Sequence, residues 1–416
     1  MTFIYLATLF FAFVMSIVPA AQFILDPVFT LMGLGAGLKT PFIVLLIVIG
    51  MAIIFMKSPN NSLKSEFINI FKWWIPWLIY LLIRSGFGGI GFWKFEMYIA
   101  RLFIPTLAIV LVYLSCPDKF ERYFFGLLIF LATLLVPLLY LIDFAEKDFY
   151  NNIWLSRTLA ICSLYLYVSL SYTPGSLVKM LLIGFFFVAM VLIGSRGPVL
   201  SFLLSATLFF MIKNRSNIKN LLAAGLVSVV VTIVVVQVSG VNVASNVASF
   251  LTHGKSDEIA HVEKADDRTG IYPGTIDIVL DYPIIGVGLA KWHIVYYKQQ
   301  GLYNDGEYKY PHNFLLEVWS ELGLIGLILF LSLFKPTKRL FSIDNRYNIF
   351  IVLGLLFAST SSDITQNSAP IMFAILSYIL SRRVSDENID LSDNNKAKIN
   401  NETVSKEKYQ SVKLRN

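Results

Sequence analysis

Apolar residues along this chain gather in long unbroken runs instead of alternating with polar ones. A helix needs roughly 20 apolar residues to cross a hydrocarbon core about 30 Å thick. Such runs lie at residues 2–22, 40–57, 68–84, 97–115, 122–142, 153–172, 177–194, 198–212, 219–239, 313–334, 347–361 and 368–381. They predict about twelve transmembrane helices, some of them short. Barrel strands would be shorter and would alternate apolar with polar positions. In lipid an isolated run satisfies its own backbone only as a helix. No repeat of roughly 20–50 residues and no inverted repeat is visible.

Composition agrees. The chain of 416 residues is 56% hydrophobic and 15% charged, with a mean hydropathy of +0.68. A soluble domain is roughly a quarter charged. The expected fold class is therefore an all-α polytopic membrane protein. The first run has no basic residue before it, the earliest being Lys39. "IVPAAQ" resembles a signal-peptidase site after Ala20, but without a basic n-region an uncleaved first span is expected.

Loop charges set the orientation. With a cytoplasmic N-terminus, the inner loops hold Lys57, Lys64, Lys72, Lys119, Arg122, Lys179, Lys213, Arg215, Lys219, Lys335, Lys338, Arg339 and Arg346, and Arg382 and Arg383 close the last span. Short cytoplasmic loops carry such an excess of Lys and Arg. The expected organisation is membrane helices in 1–239, one large extracytoplasmic loop in 240–312, further membrane helices in 313–383, and a polar, disordered cytoplasmic tail in 384–416. The pI near 9.1 reflects these topology charges, and no nucleic-acid partner is expected. Cys116 and Cys162 fall at or inside spans and show neither disulfide nor metal spacing.

In that orientation the polar residues crowd one face. All four histidines, His253, His261, His293 and His312, fall in the large outer loop. Arg84, Arg101, Arg157, Arg196 and Arg268 all fall at or near the outer interface. Each alone could snorkel to water. Together they suit a lipid diphosphate, because guanidinium binds phosphate oxygens bidentately and keeps its charge. "GSRGP", Gly194 to Pro198, is a tight turn, and a plain hairpin explains its Gly and Pro but leaves Arg196 unaccounted for. "GFGGIG", Gly86 to Gly91, lacks the strand, helix and Lys of a phosphate loop and reads as a flexible connection.

His312 is the strongest single candidate for chemistry, since imidazole can take a proton from a hydroxyl near neutral pH. The plainer reading makes it an interface residue beside a helix cap at Asn313. Glu317 and Glu321 share one helix face and need partners inside the bundle, an outer arginine being the obvious one for Glu317. Ile276, Ile278, Val279 and Leu280 give a short amphipathic run suited to the membrane surface, and Asp277 and Asp281 are one helical turn apart. Without a third ligand they read as a solvated face and no metal site is expected.

"HNFLLEVWSELGLIG" resembles the His-Asn…Glu-x-Gly-x-x-Gly signature of the bacterial O-antigen ligase and O-antigen polymerase superfamily. "SRGP" and "DRTGIYPGTIDIVLDYPIIGVGLAKW" resemble that family's other two marks, in the same order and on the same side of the membrane. The detailed resemblance covers residues 190–330. It implies a C-type membrane glycosyltransferase that inverts at the sugar and uses no metal, no cofactor and no nucleotide sugar. The donor would be a glycan on undecaprenyl diphosphate at the outer face of the bacterial inner membrane. The family's catalytic histidine maps to His312 and its two essential arginines to Arg196 and Arg268. Arg84, Arg101 and Arg157 would add diphosphate contacts, with Asn313, Glu317 and Glu321 in support.

The expected activity is an O-antigen or surface polysaccharide polymerase. The alternative is an O-antigen ligase that transfers the glycan to lipid A-core. Membrane lipid, and in the polymerase case a chain-length regulator, would be partners. A flippase or other transporter is a different class. It should carry its polar residues near the bilayer midplane, which this chain does not.

Overall fold

The computed structural model describes residues 1–17, 25, 29–33, 36–57, 61–86, 89–141, 149–172, 176–193, 196–213, 268–301, 310–333 and 348–360. All regular structure among them is helical. The helices are α1 (Thr2–Ala12, running into a π-helical turn at Phe13–Ile17), α2 (Ala36–Lys57), α3 (Asn61–Ser85) and α4 (Gly89–Met97). A second π-helical stretch, Tyr98–Phe103, leads into α5 (Ile104–Ser115). Then come α6 (Pro117–Leu141), α7 (Phe149–Tyr172), α8 (Leu177–Leu192) and α9 (Arg196–Lys213). The segment between α9 and α12 (Phe314–Ser332) holds α10 (Arg268–Asp281) and α11 (Trp292–Gln299), and α13 (Asn348–Thr360) follows α12.

Each expected span within the described residues coincides with a helix. The spans expected at 219–239 and 368–381, most of the outer loop before Arg268, and the tail lie outside the described residues. By length and composition, Leu38–Lys57, Gly89–Ser115, Lys119–Pro137 and Phe314–Ser332 are long and apolar enough to cross a membrane. Thr2–Met15, Trp74–Ser85, Leu177–Leu192 and Gly197–Lys213 are shorter apolar helices.

α5 is buried on all sides from Pro105 to Tyr113, as expected of a helix that is apolar all round and sits at the centre of a bundle. α1, α2, α3 and α6 pack around it, and α7 bridges α6 to α8 and α9. The fourth expected span began at residue 97, but the helix starts at Gly89, which brings Lys94 into it. Pro105 cannot donate to the carbonyl four residues back, at Arg101. The turn before it is wound as a π-helix, and Ile104 N–H bonds to Ile99 O.

α10 and α11 form a small core of their own, built from Ile271, Ile278, Trp292, Tyr296 and Tyr297. Trp292 stacks on Tyr296 with ring centroids 4.9 Å apart and donates to Thr275 Oγ1 at 3.2 Å. Gly274 permits the crossing, because a Cβ there would come within 2.6 Å of the Tyr296 ring.

Candidate functional site

α12 organises the site, and its first residues explain how. Asn313 is extended (φ −148°) and caps the helix, its Oδ1 accepting from Leu315 N–H at 3.0 Å and Leu316 N–H at 3.1 Å. This satisfies donors that a helix start leaves unpaired. The preceding residue, His312, is held at φ 54°, a left-handed conformation uncommon for a residue with a Cβ. Such strain persists only where surrounding contacts impose it. Here the His312 ring meets the Tyr310 ring edge-to-face at 4.8 Å, and Tyr272 Oη of α10 donates to His312 O at 3.4 Å. Arg157, fully enclosed in α7, acts electrostatically on Tyr310. Tyr310 thus lies against the His312 ring and within electrostatic range of Arg157.

Glu317 and Glu321 face inward and are buried. Both pair with the Lys94 ammonium from α4, Glu321 at 2.8 Å and Glu317 in closer contact still. The sequence points to an arginine for Glu317 and gives no reason to choose Lys94, which falls between the expected spans at 68–84 and 97–115. The available signal was the acid pair itself: two carboxylates on one face of a span call for a cation at the same depth. Lys94 also acts on His293 of α11, which is 3% exposed. Burial, and then the Lys94 charge, pull the His293 pKa below its ordinary value.

The segment between α10 and α11 docks on a break in α12. Gly323 has φ 67° and ψ −172°, a region open only to glycine. Residues 283–289 fill the break. Leu324 N–H donates to Pro283 O at 2.8 Å and Ile325 N–H to Ile284 O at 3.2 Å. In return Val287 N–H donates to Ser320 O at 2.9 Å and Gly288 N–H to Glu321 O at 2.8 Å. The backbones are so close that a Cβ on Gly286 would lie 2.4 Å from the Glu321 carbonyl carbon. Arg84 at the end of α3 secures the same loop: its Nη2 donates to Gly286 O at 2.8 Å and its carbonyl accepts from Leu289 N–H at 3.2 Å.

The remaining candidates are placed as follows. Arg101 sits partly buried in the π-helical stretch. Arg196 and Arg268 are the first residues of α9 and α10, and their side chains lie outside the described residues. α10 packs directly against α12, so the helix that Arg268 opens adjoins the one that follows His312. His253 and His261 are outside the described residues. Asp281 accepts from Gln299 Nε2 at 2.8 Å, and no group of three His, Cys, Asp or Glu among the described residues could hold a metal ion.

Residues 180–331 match the family model described as O-antigen ligase. The chain is also similar to a Rickettsia conorii protein named "Putative polysaccharide ligase", with 32% identity over 95 residues. That similarity spans 21% of this chain and 23% of the relative, less than a quarter of either. The matched family segment contains Arg196, Arg268, His312 and the broken helix with its docked loop. Through residues 180–331, the chain is therefore similar to the O-antigen ligase family.

Proposed function

We propose that this chain is a multi-pass membrane glycosyltransferase of the O-antigen ligase type. It would move a glycan from a lipid diphosphate to an acceptor hydroxyl at the outer face of the inner membrane. The observation that carries this is His312: a strained histidine at the mouth of a membrane-grade helix, its ring packed against Tyr310, with the buried Arg157 within electrostatic range of that tyrosine. In the proposed step the acceptor oxygen attacks the anomeric carbon while the bond from that carbon to the diphosphate oxygen breaks, with inversion. His312 takes the hydroxyl proton. The diphosphate leaves with the bonding electron pair, stabilised by Arg196 and Arg268. The chemistry uses neither metal nor cofactor.

The expectation of a polymerase finds no specific support. The family description and the relative's name both read as ligase, and the ligase reading, with lipid A-core as acceptor, takes first place. The test is a strain lacking the gene, complemented with the wild-type chain or with His312→Ala at matched expression. Its glycans are resolved on a gel that separates lipid A-core from carrier-linked polymer. A ligase predicts bare core, with long chains left on the carrier, in the null and His312→Ala strains. Single repeat units on core would instead mean a polymerase. A wild-type pattern from His312→Ala would sink the catalytic assignment.

A further inference from the structure

We propose that residues 276–285, in the segment expected to form the extracytoplasmic loop, go deeper than the membrane surface: they dip into the outer leaflet and contact lipid acyl chains. The inference is independent of the proposed chemistry. It starts from depth. Pro283 and Ile284 accept backbone hydrogen bonds from Leu324 and Ile325. Those two residues lie midway along α12, a helix long and apolar enough to span the bilayer. A segment bonded to the middle of a spanning helix shares its depth.

The side chains fit that depth. Leu280 is 71% exposed, Ile284 61% and Ile285 52%, and the neighbouring Leu324 and Ile325 continue the same apolar surface. In water this would be an exposed hydrophobic patch of the kind that marks an interaction surface. The backbone fits as well. Irregular chain is tolerated at membrane depth only where protein satisfies its polar groups. Here the break in α12 and the Arg84 guanidinium supply the partners, and Gly286 N–H bonds back to Tyr282 O at 3.1 Å.

The approach to the dip is consistent. On α10, Ile276 and Leu280 are exposed one turn apart, and so are Asp277 and Asp281, about 100° further round the helix. An interfacial helix with that division turns its aliphatic side chains to lipid and its carboxylates to water. The chain then descends through Tyr282 to the Ile284–Ile285 tip and returns along α12. The occupant is acyl chain and not a polar ligand, because the exposed tip presents only aliphatic side chains.

The test uses the full-length chain with Cys116→Ala and Cys162→Ala, reconstituted in phosphatidylethanolamine and phosphatidylglycerol nanodiscs. Single cysteines at Leu280→Cys, Ile284→Cys and Ile285→Cys are spin-labelled. Lys298→Cys serves as the water control and Leu45→Cys as the lipid control. Collision with oxygen is compared with collision with a water-soluble nickel chelate. The expected result is an oxygen-to-nickel ratio at the three positions several-fold above that of Lys298→Cys and close to that of Leu45→Cys. A ratio matching Lys298→Cys would place the segment in water and overturn the proposal. Protection from both reagents would mean that protein, such as a second copy of the chain, covers the surface, and would overturn it equally. Two tip positions keep the test decisive if one variant fails to fold.

Discussion

Lys94 holds two buried carboxylates on two turns of α12. Removing one partner of a buried ion pair leaves an uncompensated charge and costs about 3–5 kcal/mol. Lys94→Met should therefore destabilise the purified protein by about that amount, read as a lower unfolding midpoint in detergent, while Lys94→Arg keeps most of the wild-type value. An unchanged midpoint in Lys94→Met would refute the keystone role. His293 gives a pH signature. Its pKa is lowered in the fold by burial and by the Lys94 charge, so the unfolded chain binds the proton more readily. Its contribution to stability is thus complete above about pH 6.5 and is lost as pH falls through the lowered folded value. His293→Gln should make the fall in melting temperature between about pH 7.5 and about pH 5.5 shallower.

At the scale of elements, the unit that matters is a broken helix and the loop that mends it. Gly286 and Gly323 are apposed backbone to backbone, and neither tolerates a side chain. Gly323→Ala adds about 1–3 kcal/mol of backbone strain, and its Cβ would also meet Ile284 O at 2.2 Å. Gly33 shares the φ of 67° but has nothing within 4 Å of an added Cβ. Gly323→Ala should therefore lower the thermal midpoint by clearly more than Gly33→Ala, and should lower glycan transfer too, since the loop it displaces adjoins the His312 helix. Equal effects from the two substitutions would show that only local strain, and not the docking, is at stake. The sequence marked these glycines as a motif. That they face each other across two elements could not be read from it, because the pairing joins residues far apart along the chain.

For the whole molecule, the proposed outer-face chemistry depends on one orientation. Lys57 and Lys298 are both exposed, and the loop charges place the first inside and the second outside. In a background without Cys116 and Cys162, Lys298→Cys should react with a membrane-impermeant maleimide once the outer membrane is permeable. Lys57→Cys should react only after the inner membrane is opened. The reverse order would invert the topology and remove the site from the periplasmic side.

What the sequence determined by itself follows from composition and local pattern. Long apolar runs require helices in lipid, and Asn313 before an apolar run caps a helix. Each depends on neighbours along the chain. The tertiary structure decided what depends on neighbours in space: that Lys94 belongs inside a helix and serves Glu317 and Glu321, that the Tyr310 ring packs on His312, and that a loop at 283–289 completes α12. A buried charge or an open backbone group states only that a partner is required. Which partner arrives is settled by packing, when distant segments are brought to the same depth.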